Sequence, residues 1–230
     1  MKIKNLLIAG SLLLITTAKM NAADLCVAEN GTGGCYSTIT DAINAATNGD
    51  RIIINPKAGG APYAENLSVT KTLQFLCNVE GGQYAVSGNI VITPAIGRTI
   101  TFIGMNNLAG NVTATGSSPV GARCKVSIMN CNFANGFINL DWDYFDVSVV
   151  SCVFNDGCIQ FRYGKAIGND ITTINNYYAP VSYFRTSIYV GTDVVPTNDS
   201  IWIVGNKIMN NNPSSYFNNG IFASSTSQFY

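Results

Sequence analysis

The chain has 230 residues, of which 47% are hydrophobic and only 11% are charged, and its 13 basic side chains balance its 13 acidic ones. It contains no basic run and no stripe of lysine and arginine, which excludes nucleic acid as an expected partner. Solubility therefore depends on amides and hydroxyls. The abundance of Asn, Gly, Ser, Thr and β-branched residues favours an all-β protein with many turns.

The first residues have the three-part pattern of a secretory signal peptide. Two lysines precede an apolar run over residues 6–15, and small residues follow at Ala22 and Ala23. The run is shorter than the roughly 20 apolar residues that a membrane-spanning helix needs, and no later segment approaches that length. We expect cleavage near Ala22 or Ala23, with a signal peptide over residues 1–23 and a secreted or cell-surface domain over residues 24–230, in preference to a buried first helix.

Residues 38–47 have the period of an amphipathic α-helix. Four apolar residues between Ile39 and Ala46 fall on one face, Thr38 or Ser37 can cap the start, and the sequence Asn-Gly-Asp at 48–50 ends the helix. A short helix with one apolar face, placed before a set of strands, is expected to cover one end of their core.

After this helix the apolar period changes to two, and short strands return about every 20 to 30 residues, which indicates a solenoid. Each repeat has a first and a second strand, so the pattern predicts two stacked parallel sheets. The fold prediction is an all-β, right-handed parallel β-helix with a short amino-terminal capping α-helix. The first strands are predicted at 52–54, 73–76, 100–103, 126–129, 147–150, 171–174 and 201–204, and the second strands at 66–69, 89–92, 111–114, 137–140, 158–161, 181–184 and 220–223.

The closest internal match, between residues 126–133 and 147–154, sets the register of the repeat. It aligns four residues in one column at a bend, where side chains and backbone can pair from coil to coil and satisfy buried polar groups. This predicted column consists of Cys131, Cys152, Asn176 and Asn206.

The seven cysteines favour disulfides over a metal site, because the chain is predicted to be exported and has neither histidine nor a CxxC pair. The pair Cys26 and Cys35 would close a small loop before the helix. Cys131 and Cys152, on neighbouring coils about 4.8 Å apart, are close enough to bridge, but they could equally pack as buried free thiols.

The segment TDAINAATNGDRIIINP (residues 40–56), followed by PYAENL (residues 62–67), resembles the opening coils of the pectin-lyase-like right-handed β-helix superfamily. The resemblance covers the helix and first coil by sequence and the later coils by pattern only. It implies a three-sided coil with an apolar interior. It does not imply an enzyme, because one fold carries many functions.

The catalytic motifs of that superfamily are mostly missing. The Asn-Thr-Asp, Asp-Asp and Gly-His-Gly of polygalacturonases do not occur, and residues 61–65 only approach the Gly-x-Tyr-x-Glu of pectin methylesterases. Calcium-dependent pectate lyases use aspartates on neighbouring coils with an arginine base, and motifs alone do not exclude that class. No cofactor is expected, except calcium if the protein is a lyase.

The densest group of functional side chains follows from the predicted register, which directs Leu140 and Phe161 inward and their neighbours outward. Two arginines beside an amide and a tyrosine could hold the carboxylate of an acidic sugar, and an aspartate there could serve as acid, base or calcium ligand. The alternative is an ordinary cross-strand ion pair. The candidate binding residues are Asn139, Asp141, Asp143, Gln160, Arg162, Tyr183 and Arg185.

These patterns predict an exported, non-catalytic scaffold or recognition module at the cell surface, with a polysaccharide or another cell-surface molecule as ligand. The alternatives are a polysaccharide lyase or hydrolase acting on acidic glycans through Asp141, Arg162 and Arg185, and a β-sandwich adhesion module, which would need antiparallel hairpins. Because the predicted last coil lacks a cap, we expect another domain or another chain to cover it.

Overall fold

The computed structural model describes residues 22–116, 122–173, 185–191, 201–210 and 218–223. In these ranges the chain forms one α-helix, α1 (Ile39–Ala45), two short 3-10 turns and a long series of short strands. Every strand pair is parallel and joins successive coils, as a parallel β-helix requires. The predicted fold class is confirmed, and the β-sandwich alternative is wrong for the described residues.

The strands form three sheets rather than the two that the repeat predicted, so each complete coil has three sides. Sheet 1 contains β1 (Asp24–Val27), β2 (Arg51–Ile54), β4 (Leu73–Cys77), β7 (Thr99–Ile103), β10 (Cys124–Met129), β13 (Phe145–Val150), β16 (Gly164–Ile167) and β19 (Ile201–Val204). Sheet 2 contains β5 (Tyr84–Ser87), β8 (Met105–Ala109), β11 (Asn132–Ala134), β14 (Val153–Asn155), β17 (Asp170–Thr173) and β20 (Lys207–Asn210). Sheet 3 contains β3 (Leu67–Val69), β6 (Ile90–Ile92), β9 (Val112–Ala114), β12 (Phe137–Leu140), β15 (Cys158–Phe161), β18 (Arg185–Val190) and β21 (Asn218–Ala223).

One predicted strand of the sixth coil is displaced, and another falls on residues that the structure does not describe. The strand predicted at 171–174 corresponds to β17, which belongs to sheet 2, and its expected place in sheet 1 is taken by β16. The strand predicted at 181–184 lies outside the described residues, and β18 pairs with β15 in its place. The error arose because β16, with the sequence GKAI, has one large apolar residue, whereas the predicted segment 171–174 has two.

The core is a continuous stack of inward side chains between the three sheets. The rings of Phe75 and Phe102 stack with centroids 4.7 Å apart, and those of Phe133 and Phe154 with centroids 4.8 Å apart. These distances match the spacing of adjacent strands, so identical residues stack ring on ring from coil to coil. Each such buried ring stabilises the fold by roughly 1.5–3 kcal/mol relative to an exposed one.

Helix α1 lies against β1, β2 and β3, and its residues Ile39, Ala42 and Ile43 are buried in the same core. The Thr38 hydroxyl accepts a hydrogen bond from the Asp41 N–H at 3.0 Å and caps the start, as predicted.

Two residues of the first coil hold the ends of α1. The Glu65 carboxylate accepts hydrogen bonds from the N–H groups of Ile39 and Thr40, at 2.9 and 2.8 Å. At the other end the Lys71 ammonium donates to three backbone carbonyls, those of Ile43, Asn44 and Ala46, at 2.7–2.9 Å. Both charges have the sign that the helix dipole favours at that end.

The column of polar side chains at the bend between sheets 1 and 2 exists, with one change of membership. It contains Cys131, Cys152 and Asn206 as predicted, but its remaining member is Asn169, because β17 lies in sheet 2. The predicted member Asn176 lies outside the described residues.

Cys26 and Cys35 form a disulfide bond, and the other five cysteines are free. The prediction that Cys131 and Cys152 could bridge is therefore not met; the two are buried free thiols, which was the alternative. Hydrogen bonds explain this state, because each sulfur already has backbone partners in the neighbouring coil.

The described residues contain no helix long and apolar enough to cross a membrane. The predicted signal peptide falls almost entirely on residues that the structure does not describe, so it stays a prediction.

Candidate functional site

The first part of the predicted patch is in the expected place. Asn139 and Gln160 are paired neighbours on the outer side of sheet 3, on β12 and β15. The next residue in this column is Tyr189 of β18, whereas the predicted member, Tyr183, lies outside the described residues. Gln160 is buried, with 1% of its surface exposed, so it is not available to a ligand on this side.

Arg185 is not placed beside Arg162 as the predicted register required. It begins β18 and pairs with Asn218, while the residue that follows β18 and meets this bend is Gly191. A Cβ atom on Gly191 would lie 1.7 Å from a carboxylate oxygen of Asp141, so a larger residue there would displace the Asp141 side chain. The register shifted because the connections between strands differ in length from coil to coil.

Asp141, Asp143 and Arg162 form one cluster at the bend between sheets 3 and 1. The Arg162 Nε atom lies 3.2 Å from an Asp141 carboxylate oxygen, and its Nη1 atom contacts an Asp143 carboxylate oxygen. Burial raises the pKa of the Asp141 carboxyl above its ordinary value, although the nearby Arg162 charge acts in the opposite direction. Burial and the Asp141 charge likewise raise the pKa of Tyr189.

Aromatic and basic side chains surround this cluster. The Arg123 guanidinium lies 3.4 Å from the centroid of the Tyr163 ring, and its Nε atom donates to the Asp143 carbonyl at 3.0 Å. Trp142 stacks on Tyr144 with ring centroids 5.9 Å apart. Arg123 and Arg162 are bound by carboxylate, carbonyl and ring groups of the protein itself. These contacts are best explained as structural interactions that stabilise the corner between sheets 3 and 1.

No group of three or more His, Cys, Asp or Glu side chains is close enough to hold a metal ion within the described parts of the chain. Asp141 and Asp143, the residues proposed as calcium ligands if the protein were a lyase, instead share the Arg162 guanidinium.

The outer side of sheet 1 carries a second surface that the sequence patterns did not reveal. Two columns of outward side chains run side by side through successive coils. The polar column consists of Arg51, Gln74, Thr101, Ser127, Ser148, Lys165 and Trp202, and the aliphatic column of Ile53, Leu76, Ile103, Met129, Val150, Ile167 and Val204.

An open cleft of about 330 Å³ lies over the polar column near its last coils. Trp202 forms one wall and is 58% exposed, which is the largest exposure among the large hydrophobic residues described. The rest of the cleft is mostly polar or charged and consists of Lys125, Ser127, Asp146, Ser148, Gly164 and Lys165.

A larger hollow of about 540 Å³ lies over earlier coils of sheet 1, at β4 and β7. It is enclosed between the aliphatic column and the connection from β4 to β5. Its floor includes Leu76 and Ile103, and its wall includes Val79 and Gln83. The Gln83 side chain holds this wall in place, since its amide oxygen accepts a hydrogen bond from the Asn132 side chain at 3.0 Å.

Comparison with protein-family models, with curated protein sequences and with solved structures found no match to this chain.

Proposed function

We propose that this chain is an exported, non-catalytic recognition module that binds a polysaccharide across the outer side of sheet 1. The observation that carries the proposal is the cleft in which the exposed indole of Trp202 stands beside Lys165, two serines, Lys125 and Asp146. The polysaccharide site of this proposal therefore differs from the corner of Asp141 and Arg162 that the sequence patterns favoured.

The chemistry of the cleft suits a sugar ring. An exposed indole is a rigid, amphipathic surface that can pack against the apolar C–H face of a sugar. The hydroxyls of Ser127 and Ser148 can donate and accept hydrogen bonds to the rim of hydroxyl groups. A small number of polar groups arranged around an apolar wall is also the usual composition of a specific ligand site.

The charges of the cleft favour an acidic sugar. Lys125, Lys165 and Asp146 give it a net positive charge, and neither lysine forms an ion pair with another described residue. Lysine binds carboxylates and phosphates as a mobile point charge, which tolerates different sugar units along a chain. The ligand class is therefore an acidic polysaccharide presented at a cell surface.

The spacing of the polar column supports a ligand that runs along the solenoid. Ser127, Ser148, Lys165 and Trp202 are consecutive neighbours on four adjacent strands. Adjacent strands are roughly 4.8 Å apart, so an extended polymer aligned with the column would meet a new polar side chain at each coil.

Export and family membership are parts of the same proposal. The Cys26–Cys35 disulfide supports an oxidising compartment, because disulfides rarely persist in the cytosol. The three parallel sheets support a distant relationship to pectin-lyase-like proteins, whose opening coils the segment 40–56 resembles.

The test measures retention of the purified protein on immobilised polygalacturonate and on an uncharged glucan. We expect Trp202→Ala and Lys165→Ala each to weaken binding to polygalacturonate at least tenfold. Trp142→Ala is the matched control, since Trp142 is also about half exposed but lies beside Asp141 and Asp143, at the corner between sheets 3 and 1. Loss of binding with Arg162→Ala but not with Trp202→Ala would move the site back to that corner, and no binding by the parent protein would overturn the proposal.

A second candidate function, a lyase or hydrolase of acidic glycans, is favoured by one observation. Asp141 combines a raised carboxyl pKa with contact to an arginine, which is a common property of catalytic acids and bases. Incubation with polygalacturonate and calcium, monitored for unsaturated uronide and for new reducing ends, distinguishes the two functions. Product that disappears with Asp141→Asn would support the enzyme, and absence of product would support the recognition module.

A further inference from the structure

Asp50 is a buried carboxylate that accepts hydrogen bonds from a nearby residue, Thr47, and from Ala23, which is 27 residues away in the sequence. It is 5% exposed. One of its oxygens accepts the Thr47 N–H at 2.7 Å and the Thr47 hydroxyl at 2.9 Å, and the other accepts the Ala23 N–H at 2.8 Å. The backbone donors of Thr47 and Ala23 hold the pKa of this carboxyl below its ordinary value.

Ala23 is tied to the fold by its carbonyl as well. The Arg51 N–H donates to the Ala23 carbonyl at 2.8 Å, and this bond continues the pairing of β1 with β2. Both backbone polar groups of Ala23 are therefore used by the folded domain, although Ala23 itself is exposed, as Ala22 is, and lies just before β1.

We propose that the mature chain begins at Ala23, and that its new α-ammonium group is the partner of Asp50. This inference rests on the proposed export. The Ala22–Ala23 peptide bond is hydrolysed by one water molecule: Ala22 takes the oxygen as a carboxylate, and Ala23 keeps the nitrogen as an amine that is protonated at neutral pH. The nitrogen already lies 2.8 Å from the Asp50 oxygen, so cleavage changes a neutral donor into a charged one without moving the backbone.

The two cleavage positions that the sequence patterns left open have different consequences. Cleavage after Ala22 creates a charge-assisted hydrogen bond, which is roughly twice as strong as a neutral one. Cleavage after Ala23 removes the donor from one oxygen of a buried carboxylate, and it also removes the carbonyl that Arg51 uses. The carboxylate keeps its two Thr47 donors, but one of its oxygens is left without a donor, which costs free energy, so the folded domain favours retention of Ala23.

The first test is to produce the complete 230-residue chain in a secreting bacterial host, then to determine the amino terminus of the secreted protein by sequencing and intact mass. We expect Ala23. A start at Asp24 or at any other residue overturns the inference. Retention of the uncleaved chain in the cells would instead count against the proposed export, and the second test then decides the role of Ala23.

The second test compares thermal unfolding midpoints of chains that begin at Ala23, at Asp24, and at Ala23 with an acetylated amine. Acetylation keeps the N–H donor and removes the charge, so it isolates the ion pair. We expect the free Ala23 chain to have the highest midpoint, by roughly 2–4 °C or more for a protein of this size. We also expect Asp50→Asn to abolish its advantage over the acetylated chain.

Asp24→Asn is the matched control, because Asp24 pairs with Arg51 at the exposed surface beside the same terminus. It should lower the midpoint of all three chains by a similar, small amount. Equal midpoints of the Ala23 and acetylated chains, or an equal loss in both on Asp50→Asn, would show that the terminal charge has no partner in Asp50.

Discussion

Two cysteines and two asparagines make the same hydrogen bonds in the column at the bend between sheets 1 and 2. Each side chain accepts a backbone N–H from its neighbour in the preceding coil, as Asn169 does from Cys152 at 2.9 Å and Cys152 does from Cys131. Each also donates to a carbonyl of that coil, as Cys152 does to Ile128 at 3.4 Å and Asn169 to Val149 at 3.1 Å. A buried thiol thus replaces an amide and satisfies the same backbone groups.

This equivalence predicts different outcomes for two substitutions at position 152. Cys152→Val adds one methyl group, keeps the side chain apolar and leaves the buried Cys131 N–H without an acceptor, which should reduce the free energy of unfolding by roughly 1–3 kcal/mol. Cys152→Asn restores the acceptor and the donor of the column and should cost less than the valine. Urea unfolding of both variants measures this, and an asparagine variant less stable than the valine variant would contradict it.

The free thiols differ in access to solvent. Cys77 is partly exposed and borders the larger hollow, while Cys124, Cys131, Cys152 and Cys158 are buried. Burial raises the pKa of the Cys158 thiol to about 12, which suppresses the reactive thiolate at neutral pH.

We therefore expect a thiol-alkylating reagent to modify one residue, Cys77, in the native protein. Mass spectrometry of the intact protein should show one addition before denaturation and five after it, since the Cys26–Cys35 disulfide does not react. Cys77→Ser, which should abolish the native addition, is the control. Rapid labelling of a second cysteine would show that the core opens more readily than the packing indicates.

At the scale of the elements, glycines allow the coils to stack at the bend between sheets 2 and 3. A Cβ atom on Gly110, Gly136 or Gly157 would lie 2.0–2.3 Å from the carbonyl oxygen of the glycine one coil earlier. The neighbouring asparagines complete the bend, because the side chain of Asn66 accepts the Asn89 N–H at 2.8 Å, and the same bond recurs one coil later. The glycines therefore allow the backbones of successive coils to approach more closely than any residue with a Cβ atom would permit.

Gly136→Ala should therefore destabilise the protein by roughly 3 kcal/mol, because backbone must move to admit the methyl group. The matched control is Gly97→Ala, where a Cβ atom meets open space and the cost comes only from the positive φ of 68°; that change should cost about 1 kcal/mol. Chemical unfolding of the two variants compares these costs. Equal losses would mean that the coils can separate at this bend.

At the scale of the whole molecule, each coil is held only by its neighbours, as in other solenoids. Strands β10 and β13 are paired on both sides and bury their inward side chains completely. Strand β21 is paired on one side within the described residues, and its inward residue Ile221 is 50% exposed although its partner Ile188 is buried. Stability should therefore differ along the solenoid axis.

Hydrogen exchange followed by mass spectrometry tests this gradient. We expect the slowest exchange in peptides from β10 and β13 and the fastest strand exchange in β19, β20 and β21, because local opening needs fewer contacts to break there. Strand β1, whose one neighbouring strand among the described residues is β2, provides the comparison, since α1 packs against it. Uniform protection of all these strands would show that the solenoid unfolds as one cooperative unit.

The amino-acid sequence by itself determined the class of fold, the helix and much of the core. A strand with one buried side has apolar residues at every second position, and a helix with one buried face has them about every 3.6 positions. The sequence therefore reveals the helix in residues 38–47 and the strands in residues 126–154. The pairing of Asn139 with Gln160 followed from the same register, and the Cys26–Cys35 bond from their short separation.

Only the tertiary structure decided which residues form the third side of each coil, the register of the sixth coil and the outer surface of sheet 1. Strands such as β11 and β14 have three residues and a single inward side chain each, too few for a period to appear. Because the connections between strands differ in length, the residue paired with Gln160 is Tyr189 and not Tyr183, as the repeat had predicted. In β2, with the sequence RIII, isoleucines point to both faces of the strand, so the sequence does not show which face is buried. The pairing with the next coil decides it: Ile52 faces the core, and Ile53 lies in the aliphatic column.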